Sequence, residues 1–139
     1  MDNTIITVET RIKAPIEKVW EHWTDPKHIV KWNNASDDWH TPHAMNDLRV
    51  GGQFLSRMEA RDGSFGFDFG GTYTAVETNK RIEYTIADGR KVKIEFTVEG
   101  GQCRVTESFE AEKVNPVEMQ QGGWQAILNN FKKEVEASQ

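Results

Sequence analysis

The sequence predicts an α+β fold in which one long amphipathic helix lies across a curved antiparallel sheet, and three observations carry that prediction. In 115–135, Trp124, Ile127, Leu128, Phe131 and Val135 fall at i, i+3, i+4, i+7 and i+11, a single helical stripe. Gln125, Asn129, Asn130, Lys132, Lys133 and Glu134 take the opposite face. Between residues 48 and 109, turn signals recur at Asp62-Gly63, Asn79-Lys80, Asp88-Gly89 and Gly100-Gly101. The five strand-like runs they separate, with connections this short, must be antiparallel to their neighbours. Gly51-Gly52 and Gly70-Gly71 fall inside such runs, where paired glycines mark bulges or bends that curve a sheet.

Taken in order, residues 3–12 alternate, with Ile6, Val8 and Ile12 on one side and Thr7, Glu9 and Arg11 on the other, the pattern of a half-buried strand. Ala14-Pro15 ends it, because proline lacks the ladder donor, and Pro15 suits the first position of a helix. Ile16, Val19, Trp20 and Trp23 form a short apolar stripe, and Asp25-Pro26 restarts the chain in a second short helix that turns Ile29, Val30 and Trp32 inward. Residues 33–47 show neither period and read as a long loop carrying Trp39, His40, His43 and Met45, of the kind that closes over a binding site. The strand runs follow at about 48–61, 65–77, 81–87, 91–98 and 103–111. Asn115-Pro116-Val117-Glu118 reads as a capping box opening the final helix.

The 139 residues suit a single domain, 1–139, with one core. A net charge of −5, with both signs interspersed and no basic or aromatic-basic run, argues against a nucleic-acid partner. No apolar run reaches membrane-span length, and Met1 to Thr4 lack the pattern of a signal peptide. The single cysteine, Cys103, excludes an internal disulfide and fits a reducing, cytoplasmic setting.

Arg11-Ile12-Lys13-Ala14-Pro15, Val19-Trp20 and Trp23-Thr24-Asp25-Pro26 resemble the opening of the START-related, helix-grip superfamily (SRPBCC). Leu48-Arg49-Val50-Gly51-Gly52, Gly71-Thr72-Tyr73, Arg81-Ile82-Glu83-Tyr84-Thr85 and Gly123-Trp124 with Leu128 and Phe131 resemble its subfamily named for the activator of the heat-shock-protein-ninety ATPase (AHSA type). The resemblance implies six or seven strands wrapped around the long C-terminal helix, with two short helices after the first strand and a cavity between sheet and helix. Members of the superfamily bind lipids, sterols, polyketides or plant hormones there, and some are cyclases or hydratases. The subfamily carries no universal catalytic motif.

Strand alternation turns Ile82, Tyr84 and Ile86 toward the helix, then Val92, Ile94, Phe96 and Val98, and on the last strand Cys103, Val105, Glu107 and Phe109. Glu107 breaks the apolar set. It is a polar anchor or general acid if it faces the cavity. The alternative, and the more economical account, is a bulge that turns it outward or an ion pair with Arg57 or Arg49. Asp68, between Phe67 and Phe69, faces solvent unless a bulge at Gly70-Gly71 shifts the phase. His40 and His43, with His22 and His28 on other elements, make no closed metal set, so no metal is expected. Cys103 reads as a small buried residue rather than a nucleophile, and Gly122-Gly123 in the long helix as a kink, a close approach or a gate.

The expected function is to bind a small hydrophobic or amphipathic ligand of lipid, polyketide or aromatic type. The expected ligand contacts are Trp32, Trp39, Phe54, Met58, Phe67 and Phe69, together with Tyr73, Tyr84, Phe96, Glu107, Trp124 and Leu128. Two alternatives stand beside it. One is a stress- or chaperone-related interaction module, with a chaperone as partner. The other is a polyketide cyclase- or hydratase-type enzyme with Glu107, His40 or Tyr84 as acid–base groups. No cofactor is implied, and monomer and homodimer are both open.

Overall fold

The computed structural model describes residues 4–138; Asn3, expected at the head of the first strand, lies outside the described residues. The elements run β1 (Ile5–Ile12), α1 (Ile16–Thr24), α2 (Pro26–Trp32), β2 (Trp39–Asn46), β3 (Gln53–Ala60), β4 (Gly66–Glu77), β5 (Arg81–Ile86), β6 (Lys91–Glu99), β7 (Gln102–Glu110) and α3 (Val117–Ala137). All strand pairs are antiparallel in one seven-stranded sheet of order β1-β7-β6-β5-β4-β3-β2. The meander from β2 to β7 thus runs unbroken across the sheet, and β1 closes it beside β7.

The core forms where the inner face of the sheet meets the helices. Ile6, Val8 and Ile12 of β1, Val19 of α1 and Leu128, Phe131 and Val135 of α3 are buried together, as the two periodicities require. Burying each large apolar side chain stabilises the fold by about 1.5–3 kcal/mol. Val98 departs from the expected inward set: it stands next to the end of β6 at the β6–β7 hairpin and is 59% exposed.

Residues 33–47 correct the expectation of a long loop. Trp39–Asn46 is a strand at the sheet edge. Its alternation is hidden by Pro42, which an edge strand tolerates, and by a register shift between His40 and His43. Bulges at the glycine pairs are also corrected: the other register shift lies between Tyr73 and Ala75. Gly70 and Gly71 are close approaches instead. A Cβ on Gly71 would stand 2.6 Å from the Thr85 carbonyl oxygen, and one on Gly70 2.8 Å from that of Phe54.

The start of α3 differs from the expected capping box as well. Asn115 makes no side-chain cap, and Pro116 occupies the cap position. The buried Gln120 ties the β7–α3 connection down instead. Its Oε1 accepts from Glu112 N–H (2.9 Å), and its Nε2 donates to the carbonyls of Glu112 (3.2 Å) and Asn115 (2.8 Å). Gly122 and Gly123 lie within continuous helix and would meet nothing within 4 Å if given a Cβ, so no close approach requires them. Among the described residues, no helix is long and apolar enough to cross a membrane.

Candidate functional site

The inner face of a curled sheet cannot be filled by one helix along its whole length, and here a cavity of about 320 Å³ remains. Its sheet wall includes Phe54, Ser56 and Met58 of β3, Phe67, Phe69 and Tyr73 of β4, and Ile82 and Tyr84 of β5. Trp124 and Ile127 of α3 form the opposite wall, and Trp23, Ile29 and Trp32 close it from α1 and α2. Met45 and Phe67 line the space yet are 65% and 41% exposed, which marks its mouth at the edge of β2 and β4.

Glu107 lies in this wall, and its placement corrects the expectation of an outward turn or an arginine pair. The ladders on both sides pass through it without a break, Val8 opposite it on β1 and Ile94 on β6, so no bulge rotates it outward. Arg57 is spent on Glu59 (3.0 Å) and Asp68 (3.4 Å), and Arg49 on Asp47 (2.9 Å). The carboxyl is 6% exposed, and burial pushes its pKa up to about 8, which keeps it protonated at neutral pH. A protonated carboxyl in an apolar wall can donate a hydrogen bond as well as accept one.

Other polar groups converge on the same space. Tyr84, beside Glu107, is pushed well above the usual tyrosine range, first by burial and then by the Glu107 charge. Tyr73 is raised chiefly by burial, and its hydroxyl donates to Asn46 Oδ1. Arg90, from the β5–β6 turn, borders the cavity with its Nε held by Asp88 (2.8 Å) and Nη1 by the Glu110 carbonyl (3.3 Å).

A scan against family profiles matches residues 13–136 to the family described as activator of Hsp90 ATPase homolog 1-like protein. The chain belongs to that family. The solution structure of the AHSA1-like protein from Aeromonas hydrophila is 48% identical and covers 97% of this chain and 94% of its own, with a TM-score of 0.91. A protein from Cytophaga hutchinsonii is 56% identical over 96% of this chain and 92% of its own, with a TM-score of 0.83. A crystal structure from Nitrosomonas europaea, at 20% identity and a TM-score of 0.82 over 97% and 96% of the two chains, shares the fold. No curated protein matches. The AHSA1-like family and the seven-stranded sheet gripping α3 place the chain in the helix-grip superfamily.

Of the contacts expected in this AHSA1-like chain, nine line the cavity: Trp32, Phe54, Met58, Phe67, Phe69, Tyr73, Tyr84, Glu107 and Trp124. Three lie off it. Trp39 packs at the outer end of the sheet on Phe65 and Phe67, with ring centroids 6.0 and 5.9 Å away. Phe96 is covered by the edges of Trp20 and Trp23, and Leu128 faces the packed core below Trp124. His40 is half-exposed, 3.9 Å from Glu59, and His43 is exposed. Asp68 faces solvent, as the alternation required. Burial pushes the Cys103 thiol up to about 11, which suits a packing role.

The sequence reading missed Trp23, Ser56, Asn46 and Arg90 as lining residues. Ser56 was legible, since it shares a face with Met58 by alternation. Asn46 was hidden with β2, and nothing local marks a turn arginine as folding back over the cavity.

Proposed function

We propose that this AHSA1-like protein binds a small, mostly apolar molecule carrying at least one hydrogen-bonding oxygen or nitrogen, held between the sheet and α3. The observation that supports it is the cavity of about 320 Å³ with Glu107 in its wall. Native interiors pack to near-crystalline density, and a void of this size is far beyond a packing defect. The aromatic walls suit a flat or alkyl body, and neutral Glu107 with Tyr84 suits its polar end. A lipid, polyketide or aromatic ligand meets both demands. Ser56→Phe projects a ring into the space from a buried wall position. Thermal-shift screening of apolar ligands tests the reading: ligand-induced stabilisation in the wild type must vanish in the Ser56→Phe protein, and its persistence there would place binding elsewhere.

The protonated Glu107 beside Tyr84 favours a second reading, general acid chemistry of the cyclase or hydratase type on the bound molecule. It requires turnover that Glu107→Gln abolishes while binding survives. The family's name adds a chaperone-directed role. Stimulation of a chaperone ATPase by the purified protein is its test, and no stimulation would remove it.

A further inference from the structure

Outside the cavity, three metal-ligating side chains from two helices converge. Glu21 and His22 are neighbours on α1, and His28 projects from α2; their ligand atoms all lie within 4.8 Å of one another. His22 is 3% exposed, and its Nδ1 lies 2.9 Å from the Lys18 carbonyl oxygen. A carbonyl only accepts, so Nδ1 carries the hydrogen and Nε2 presents a lone pair. The partner of Nε2 is the Ser138 hydroxyl (3.1 Å), whose single proton is also claimed by the Val135 carbonyl (2.9 Å). The Val135 carbonyl also accepts the Ser138 backbone N–H (3.3 Å), so the hydroxyl proton is free to serve His22 Nε2. On the facing helix, both ring nitrogens of His28 are buried and have no hydrogen-bond partner. His28 Nε2 reaches Glu21 Oε1 only at 3.4 Å, without the alignment of a hydrogen bond. Buried polar atoms are ordinarily satisfied, so an imidazole with both nitrogens unpartnered, beside a second imidazole and a carboxylate, calls for a ligand.

We propose that Glu21, His22 and His28 bind a divalent transition-metal cation, zinc by the chemistry of its donors, with the Ser138 hydroxyl or a water in the fourth position. Two imidazoles and one carboxylate are a zinc ligand set. The bond from His22 Nδ1–H to a backbone carbonyl is the outer-shell contact that fixes a metal-binding imidazole. The Lys18 ammonium, one turn back from His22 on α1, is held by the Ser138 carbonyl (2.6 Å). The two rings are stacked with centroids 4.0 Å apart and planes 21° apart. Because a metal lies in the plane of each ring it binds, coordination opens this stack through the side-chain torsions of His28.

The cation would bolt α1 to α2 beside the cavity. Trp23, Ile29 and Trp32 of those helices line it, and Trp32 Nε1 donates to the His22 carbonyl (2.9 Å). The test is calorimetric titration of chelator-treated protein with zinc chloride, alongside cobalt(II) absorption to report tetrahedral coordination. The expected result is one metal per chain with tetrahedral cobalt bands, weakened at least about tenfold in His28→Ala and in Glu21→Gln. Glu21 is exposed, so the second variant keeps the test valid if the first fails to fold. His40→Ala/His43→Ala should bind as the wild type does. Absence of stoichiometric binding, or binding lost in the His40/His43 variant and kept in the other two, would overturn the proposal.

Discussion

The indole of Trp124 lies face to face on the Phe109 ring, with centroids 3.8 Å apart and planes 13° apart. Phe109 shares the inner face of β7 with Glu107, so this stack fixes α3 to the sheet directly beside the buried carboxyl. Trp124 also meets Phe69 edge-on across the cavity, at 6.1 Å. The helix is therefore both lid and wall. Trp124→Ala is expected to lower affinity for an apolar probe such as anilinonaphthalene sulfonate about tenfold, while costing roughly 2 kcal/mol of stability because the indole is only partly buried. Probe titration and urea unfolding give the two numbers. A stability loss with unchanged affinity would assign Trp124 to the core alone.

Glu107 makes stability depend on pH in a definite direction. Its pKa is raised from 4.5 in the unfolded chain to about 8 in the fold. The folded state thus holds a proton that the unfolded state has released, and the associated stability is complete below about pH 4.5 and lost as pH rises toward 8. Glu107→Gln, which cannot ionise, should flatten this part of the pH profile and stabilise the protein by roughly 1–3 kcal/mol near pH 8. Urea unfolding at a series of pH values reads it out. Parallel profiles for wild type and variant would mean that the carboxyl is solvated.

Two glycine positions should respond with opposite signs. Gly71→Ala places a Cβ 2.6 Å from the Thr85 carbonyl oxygen, a backbone atom that cannot swing aside, and is expected to destabilise by about 2 kcal/mol or more. Gly122→Ala meets nothing within 4 Å and should stabilise α3 by about 0.5–1 kcal/mol. Thermal unfolding of both variants checks the pair. A destabilised Gly122→Ala would reveal a need for helix flexibility there, and a ligand-affinity change in that variant would make the need functional.

Asn46 joins three elements. It accepts from the Tyr73 hydroxyl of β4 and donates from Nδ2 to the Thr24 carbonyl at the end of α1 (2.7 Å). Asn46→Ala strands a largely buried hydroxyl and a helix-end carbonyl, and should cost about 1–3 kcal/mol. Tyr73→Phe in the same background should recover part of that loss by removing the orphaned donor. Additive losses in the double variant would mean that the two groups do not depend on each other.

What was legible in the sequence follows from which forces act locally. Turn glycines, period-two alternation on β5 to β7 and the stripe of α3 each report a local geometry, so the meander and the helix against it could be read directly. β2 could not, because Pro42 and a register shift break the alternation on which strand recognition depends. The cap of α3 was misread because Gln120 satisfies the connection from inside the helix, a tertiary solution that no motif announces. Glu107 was placed on the correct face by alternation, yet its freedom from Arg57 was not legible: Arg57 faces outward, between Ser56 and Met58, both buried. Trp39 and Phe96 illustrate the reverse error, since aromatic character reports burial but not which void, if any, a ring borders.

The measurement that bears most directly on the ligand-binding reading is native mass spectrometry of the wild type and Ser56→Phe proteins, each mixed with a long-chain fatty acid, a flavonoid and anilinonaphthalene sulfonate. The account predicts one-to-one complexes with at least one of these in the wild type, absent from the filled-cavity variant. Wild-type protein that stays ligand-free with all of them, or complexes that persist unchanged in Ser56→Phe, would contradict it.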